Sequence, residues 1–206
     1  MSRINIILDL DNTLICALGK DEAKKLKAFD ALKLCSQFES VDFMENRELL
    51  YKIFLRPHLE EFFEYIFKNF DVSVWTAASE QYGQFIIDNI IKRDDPSRQL
   101  KGFFHLDHCK ESQKLYSEYE KKTYNTTTYK NLNYLFTKFG HMGYHSCNTV
   151  IIDDLEDVGK VNNRNSITIP PFDVLRKNKK GKYIDFTVDR NLKRVMKDLE
   201  NVRNMC

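Results

Sequence analysis

Directly after an apolar run, Ile4 to Leu8, the chain reads Asp9-Leu10-Asp11-Asn12-Thr13. Two carboxylates and a hydroxyl at alternate positions suit nucleophilic attack, general acid–base work or binding of a hard cation. One Asp would serve as an Asx-type cap; two Asp and a Thr exceed what a cap needs. A second apolar run, Val72 to Trp75, ends in Thr76-Ala77-Ala78-Ser79. A third, Thr149 to Ile152, ends in Asp153-Asp154. Brought to one place, four carboxylates would repel one another unless a cation sat among them. An oxygen-only ligand set around an open site suits Mg²⁺.

These residues need elements that deliver them to one edge. Short, Ile-rich apolar runs read as strands buried on both faces of a parallel sheet. In such a sheet the carboxyl ends of the strands share the ligand-binding edge. Leu59, Phe62, Phe63, Ile66, Phe67 and Phe70 recur at three and four, which predicts a helix opened by Arg56-Pro57 with Pro57 at its first position. A helix over about 80–92 turns Tyr82, Phe85, Ile86 and Ile90 inward, and Asp94-Asp95-Pro96-Ser97 stops it. Another begins near Tyr129, with Leu132, Leu135, Phe136 and Phe139 inward. The chain closes with a helix over about 190–203, Asp189 being its N-cap and Leu192, Val195, Met196 and Leu199 its apolar face. Further strands are expected at 102–106 and 166–169, and 183–188 reads as extended.

Two stretches interrupt this alternation. Residues 16–52 form a flap insert: an imperfect helical face (Ala23, Leu26, Phe29, Leu34, Phe38), then strands 41–46 and 48–55 as a hairpin. Residues 108–128 form a second insert whose polar part, Ser112 to Thr128, reads as a loop or a solvated helical turn. Strands alternating with helices predict a three-layer α/β domain over 1–206, its mostly parallel sheet covered on both faces.

Composition narrows the function classes. The 206 residues hold 32 Lys+Arg against 30 Asp+Glu, a net charge of +2, which argues against a protein built mainly to neutralise nucleic-acid phosphates. Cys16, Cys35, Cys109, Cys147 and Cys206 form no Cys-x-x-Cys pair and read as free thiols. No stretch reads as a membrane span or a signal peptide, so an intracellular protein, cytoplasmic or nuclear, is expected. The oligomeric state is left open.

The order Asp-x-Asp-x-Thr, strand-end Thr, Lys and Asp-Asp resembles the haloacid dehalogenase superfamily. Within it, Phe54-Leu55-Arg56-Pro57-His58, Trp75-Thr76-Ala77-Ala78-Ser79 with Tyr82, Tyr129-Lys130-Asn131-Leu132 and Ile152-Asp153-Asp154 resemble the small C-terminal-domain phosphatases, relatives of the enzyme acting on the RNA polymerase II tail. The likeness runs from about Asn5 to Pro171. It departs at Asn12, where an acidic residue is usual, in the flap, and in the insert before Lys130. The resemblance implies a Rossmann-like fold with a small flap and no large cap, and a Mg²⁺-dependent phosphatase acting on phosphoserine or phosphothreonine in proteins. Asp9 would be the nucleophile, Asp11 the general acid and base, Thr76 and Ala77 phosphate ligands with Lys130. Mg²⁺ would be held by Asp9, Asp11 through its backbone carbonyl, and Asp154, with Asp153 indirect or water-mediated. Thr13 would brace the loop. A phosphatase for nucleic-acid ends or nucleotides is an alternative on the same core. A phosphoprotein-binding or scaffold module is the non-enzyme alternative, since some relatives serve as translocase subunits in mitochondrial protein import.

Two other groups stand out. His105, His108 and Cys109, with His141, His145 and Cys147, are zinc-type ligands at spacings that fit no familiar finger, and surface or partly buried roles are expected instead. Arg176 to Lys182 is a basic loop, either solvated or able to hold an acidic or multiply phosphorylated substrate.

Overall fold

The computed structural model describes residues 3–24, 33, 35–120 and 129–205. Strand β1 (Asn5–Leu8) is the middle of the main sheet. After the turn from Asp9 to Thr13 come β2 (Ile15–Gly19), a short helix α1 (Lys20–Ala23), β3 (Ser40–Glu45) and β4 (Glu48–Leu55). Helix α2 (Leu59–Asn69), β5 (Asp71–Trp75) and α3 (Glu80–Ile86) follow, α3 widening into a π-helical stretch, Ile87–Lys92. The second half holds β6 (Leu100–Phe104), α4 (Leu106–Glu120), α5 (Leu132–Lys138), β7 (Thr149–Asp153), α6 (Glu156–Val161), β8 (Ser166–Thr168) and α7 (Asn191–Met205).

The main sheet has the order β6-β5-β1-β7-β8, and every pairing is parallel. β1 shows why Ile6, Ile7 and Leu8 are all apolar. Ile6 and Leu8 enter the core cluster that holds Phe62, Ile66, Ile86, Ile90 and Leu199, from α2, the 80–92 helix and α7. Ile7 enters the opposite cluster with Trp75, Leu132, Leu135, Ile151 and Val158. Each such side chain, wholly buried, contributes about 1.5–3 kcal/mol. The expected three-layer α/β fold is therefore observed.

Register fixes the functional edge. Leu8 lies opposite Val74 on one side and Ile152 on the other, so Asp9 emerges level with Trp75 and Asp153. The flap is an antiparallel sheet of order β2-β4-β3. Its hairpin turns at Asn46 and Arg47, both at positive φ (50° and 66°), as a type I′ turn requires. Strand β2 was not expected: Ile15-Cys16-Ala17-Leu18 sits within the flap insert and pairs with β4.

Several boundaries differ from expectation. Helix α2 begins at Leu59, because His58 at φ 66° turns the chain just before it. Pro57 therefore precedes the helix. The described part of the 112–128 segment belongs to a full helix over 106–120 rather than to a loop or a solvated helical turn: buried Cys109 and Ser112 lie three apart on its inner face, where Ser112 accepts a backbone amide, Asn131 N–H, at 3.2 Å. The segment before β7 places Lys130 two residues ahead of α5, whose N-cap is Asn131. Strand β6 starts at Leu100, and Phe186–Val188 is a 3₁₀ turn rather than extended chain. The expected helical face at Leu26, Phe29 and Leu34 and the segment 121–128 lie outside the described residues. Among the described residues no helix is long and apolar enough to cross a membrane.

Candidate active site

The turn after β1 is tied at both ends. Asp9 N–H donates to the Ile152 carbonyl (3.0 Å), and Leu14 and Thr13 amides donate back to Leu10. Asn12 takes a left-handed conformation, φ 61°. Asn tolerates that region better than most residues, which gives the departure at this position a local reason.

Arg56 locks this turn from beneath. Its guanidinium is buried, 1% exposed. Nη1 donates to the Thr13 carbonyl (2.8 Å), Nη2 to the Pro170 carbonyl (2.7 Å), and Nε and Nη2 to Asp189 Oδ2 (3.0 and 2.8 Å). Asp189 Oδ1 in turn accepts the Asn191 amide at the start of α7 (2.6 Å), so the expected cap also carries a buried ion pair.

Above the turn, Asp9, Asp153 and Lys130 are buried together. Lys130 Nζ donates to Asp9 Oδ1 and, at 2.8 Å, to Asp153 Oδ2. Asp153 Oδ1 accepts the Leu155 amide (2.9 Å), so both its oxygens are engaged. Among the described residues Asp9 Oδ2 has no protein hydrogen-bond partner. Asp154 accepts the Thr13 hydroxyl at 3.3 Å, so Thr13 does brace the loop. Carboxylate oxygens of Asp9, Asp153 and Asp154 lie within 4.8 Å of one another, the one metal-type cluster among the described residues. Three hard oxygen donors facing a single ammonium leave an excess of negative charge, which fits a Mg²⁺-sized cation. The His and Cys groups do not assemble into such a cluster among the described residues.

Electrostatics follow from burial. Removal from water pushes the Asp9 carboxyl up, and the Lys130 ammonium opposes that push. Burial works against the Lys130 charge, but Asp9 and Asp153 outweigh it and hold the group protonated. Burial, then Asp153, raises Asp154 to about 6. Asp11 stands apart from the metal-type cluster: half-buried, its carboxyl is raised by burial while the Tyr82 hydroxyl, donating to Oδ1 at 2.8 Å, favours its ionised form.

The loop after β5 supplies the neutral partners. Thr76 is buried, and its Oγ1 accepts the Ala78 amide (3.0 Å), which leaves the hydroxyl proton for another acceptor. Half-buried Ala77 lies between them. Leu106 N–H donates to the Ala78 carbonyl and Cys109 Sγ approaches the Thr76 carbonyl at 3.6 Å, so the first turn of α4 pins the loop. Gly83 permits close packing here: a Cβ would fall 2.6 Å from the Phe103 ring and 3.3 Å from Thr76 Cγ2.

Thus Asp9, Lys130, Asp153 and Asp154 meet directly, with Asp11 and Thr76 on the neighbouring loops. Sequence reasoning missed the Arg56 clamp, the Tyr82–Asp11 bond, and Asn162, which accepts Leu132 N–H (2.8 Å) and donates to the Lys130 carbonyl (2.7 Å). Arg56 and Tyr82 lie within the family-like motifs; Asn162 carried no signal, because the two site groups it ties, Leu132 N–H and the Lys130 carbonyl, lie 30 and 32 residues away.

Comparison with known proteins places this geometry. A family model described as NLI interacting factor-like phosphatase matches residues 4–205. The CTD phosphatase-like protein 355R of Invertebrate iridescent virus 6 is 39% identical over 168 residues, 82% of this chain and 85% of its own. Its counterpart in Invertebrate iridescent virus 3 is 34% identical over 203 residues, 96% of both chains. Among solved structures, Fcp1, titled an essential RNA polymerase II CTD phosphatase, superposes with a TM-score of 0.64 at 17% identity. A fission yeast Fcp1 variant bound to beryllium fluoride gives 0.64 at 18%. Both matches cover 97% of this chain and 62% of the Fcp1 chain.

Proposed function

The chain belongs to the NLI interacting factor-like phosphatase family, and from that premise we propose a Mg²⁺-dependent phosphatase that hydrolyses phosphoserine or phosphothreonine in proteins through a phosphoaspartyl intermediate. The observation that carries this reading is the pairing of Asp9, one oxygen held by Lys130 and the other without a protein partner, with Asp11 two residues on and held separately by Tyr82.

Phosphate monoesters hydrolyse so slowly that a large barrier must be removed, and splitting the reaction into two displacements is one way. Asp9 attacks phosphorus and the bond to the leaving oxygen breaks. Asp11, whose pKa burial raises, gives its proton to that alkoxide. The resulting Asp11 carboxylate takes a proton from water, which attacks phosphorus and releases Asp9. Thr76 donates its free hydroxyl proton to a phosphoryl oxygen, beside the Ala77 backbone, and Lys130 stabilises charge as a fixed ammonium. Mg²⁺, held by Asp9, the Asp11 carbonyl and Asp154, with Asp153 indirect, would offset the charge of the incoming dianion when bound.

Two features favour a polypeptide substrate: among the described residues no large cap encloses the edge, and the relatives are named CTD phosphatase-like. The test is turnover of p-nitrophenyl phosphate and of a phosphoserine peptide, with Mg²⁺ or EDTA, by wild type and Asp9→Asn. Mg²⁺-dependent turnover lost in the variant is expected. Preference for a 3′- or 5′-phosphorylated oligonucleotide would replace the substrate class, and peptide binding without turnover would replace the enzyme by a binding module.

A further inference from the structure

The seven residues Arg176 to Lys182 carry five cations, and all seven are exposed. Among the described residues none of Arg176, Lys177, Lys179, Lys180 or Lys182 makes an ion pair, whereas Lys52, Lys110 and Lys160 are each paired with a nearby Asp. Like charges this dense repel, and a chain free to move would spread them. Here the backbone forbids that. Asn178 N–H donates to the Lys182 carbonyl (2.8 Å), its side chain accepts the Lys180 and Lys182 amides (2.9 and 3.1 Å), and Gly181 turns the chain at φ 76°. Below the turn, Lys177 pairs with Tyr183 across a bridge and lies 4.7 Å from its ring.

The hairpin is also joined to the catalytic turn. Phe172 N–H donates to the Asn12 carbonyl at 2.7 Å, next to Asp11. Phe172 and Val174 pack with Cys16 and Phe54 of the flap. Only three residues lie between Phe172 and Arg176, a span of at most about 14 Å. A rigid, uncompensated positive patch this near the reacting carboxylates is placed to meet a polyanion already bound there.

We propose that the 176–182 hairpin docks an acidic or additionally phosphorylated segment of the same polypeptide whose phosphoresidue is hydrolysed, a few residues from that site. This rests on the protein-phosphatase reading above and adds a substrate preference to it. A nucleic acid is less favoured, because the chain as a whole is close to charge-neutral.

The test compares two phosphoserine peptides, one flanked by neutral residues and one by glutamate and further phosphoserine. Lys179→Glu/Lys180→Glu/Lys182→Glu leaves the buried anchors and the Asn178 backbone bonds in place. It is expected to raise KM for the acidic peptide by about tenfold and to leave the neutral peptide and p-nitrophenyl phosphate unchanged. Raising NaCl from about 0.05 to 0.5 M should erase the wild-type advantage. Equal loss on both peptides, no loss on either, or binding of a single-stranded oligonucleotide but not of the acidic peptide would overturn the proposal. If wild type hydrolyses no phosphate ester, the phosphatase reading has failed. Fluorescence anisotropy of a labelled acidic peptide on wild type and variant then still decides the docking surface.

Discussion

Two buried cations, Arg56 and Lys130, contact the turn from Asp9 to Thr13, and they are handled differently. Arg56 faces one carboxylate, Asp189, and spends its remaining donors on the carbonyls of Thr13 and Pro170. Charge and hydrogen bonding both close, so nothing there invites a ligand. Lys130, 2% exposed, faces Asp9 and Asp153 with Asp154 close by, and the Asp9 Oδ2 stays unpaired among the described residues. Burial of ions is costly in both places, but only the second leaves an imbalance, which the proposed cation and phosphoryl group would complete. A closed pair holds shape; an open one holds chemistry.

Arg56→Met breaks the closed side and should have the largest effect on folding. It strands Asp189 without its cation and unties the Thr13 and Pro170 carbonyls, for a loss of about 3–5 kcal/mol in urea unfolding. Arg56→Met/Asp189→Leu should recover part of that stability while turnover stays low, since the carbonyls remain untied. Full recovery of both would show that the clamp does not set the turn.

On the open side, Lys130→Met should lower kcat about 10²–10³-fold, as removal of a preorganised electrostatic group does. Its stability should suffer less than that of Arg56→Met, because Asp9 can take up a proton when its ammonium is gone. A Lys130→Met variant that loses more stability than Arg56→Met yet keeps its kcat while folded would reverse the comparison.

The smallest effect separates the two by pH. Asp154 has a folded pKa of about 6 against an ordinary 3.8, so the native state holds that proton more tightly and ionisation above pH 6 costs stability. In metal-free protein, Asp154→Asn should therefore raise the free energy of unfolding at pH 7.5 by about 1 kcal/mol once solvent screening is allowed for, read as a higher Tm. The gain should vanish as pH falls from about 6 to 4. Mg²⁺ should stabilise wild type and not the variant. A pH-independent gain would separate it from the Asp154 charge.

Sequence reading reached the open side more completely than the closed one. Asp9, Asp153 and Asp154 were legible because each follows an apolar strand whose end is set by periodicity alone. Lys130 came from motif order. The Arg56–Asp189 pair spans 133 residues, and no local pattern announces a partner at that distance. Helix α4 read only as a loop or a solvated helical turn, because its buried Ser112 satisfies a backbone amide rather than solvent. Strand β2 was hidden because its pairing with β4 depends on the turn that Arg56 and Leu10 hold.

The most direct measurement is acid-quenched mass spectrometry of wild-type protein mixing with a phosphopeptide and Mg²⁺ on the millisecond scale. A phosphoryl group on the peptide bearing Asp9, absent in Asp9→Asn and in EDTA, is the expected result. Turnover with no phosphorylated protein, or with the label on another residue, would contradict Asp9 as the nucleophile.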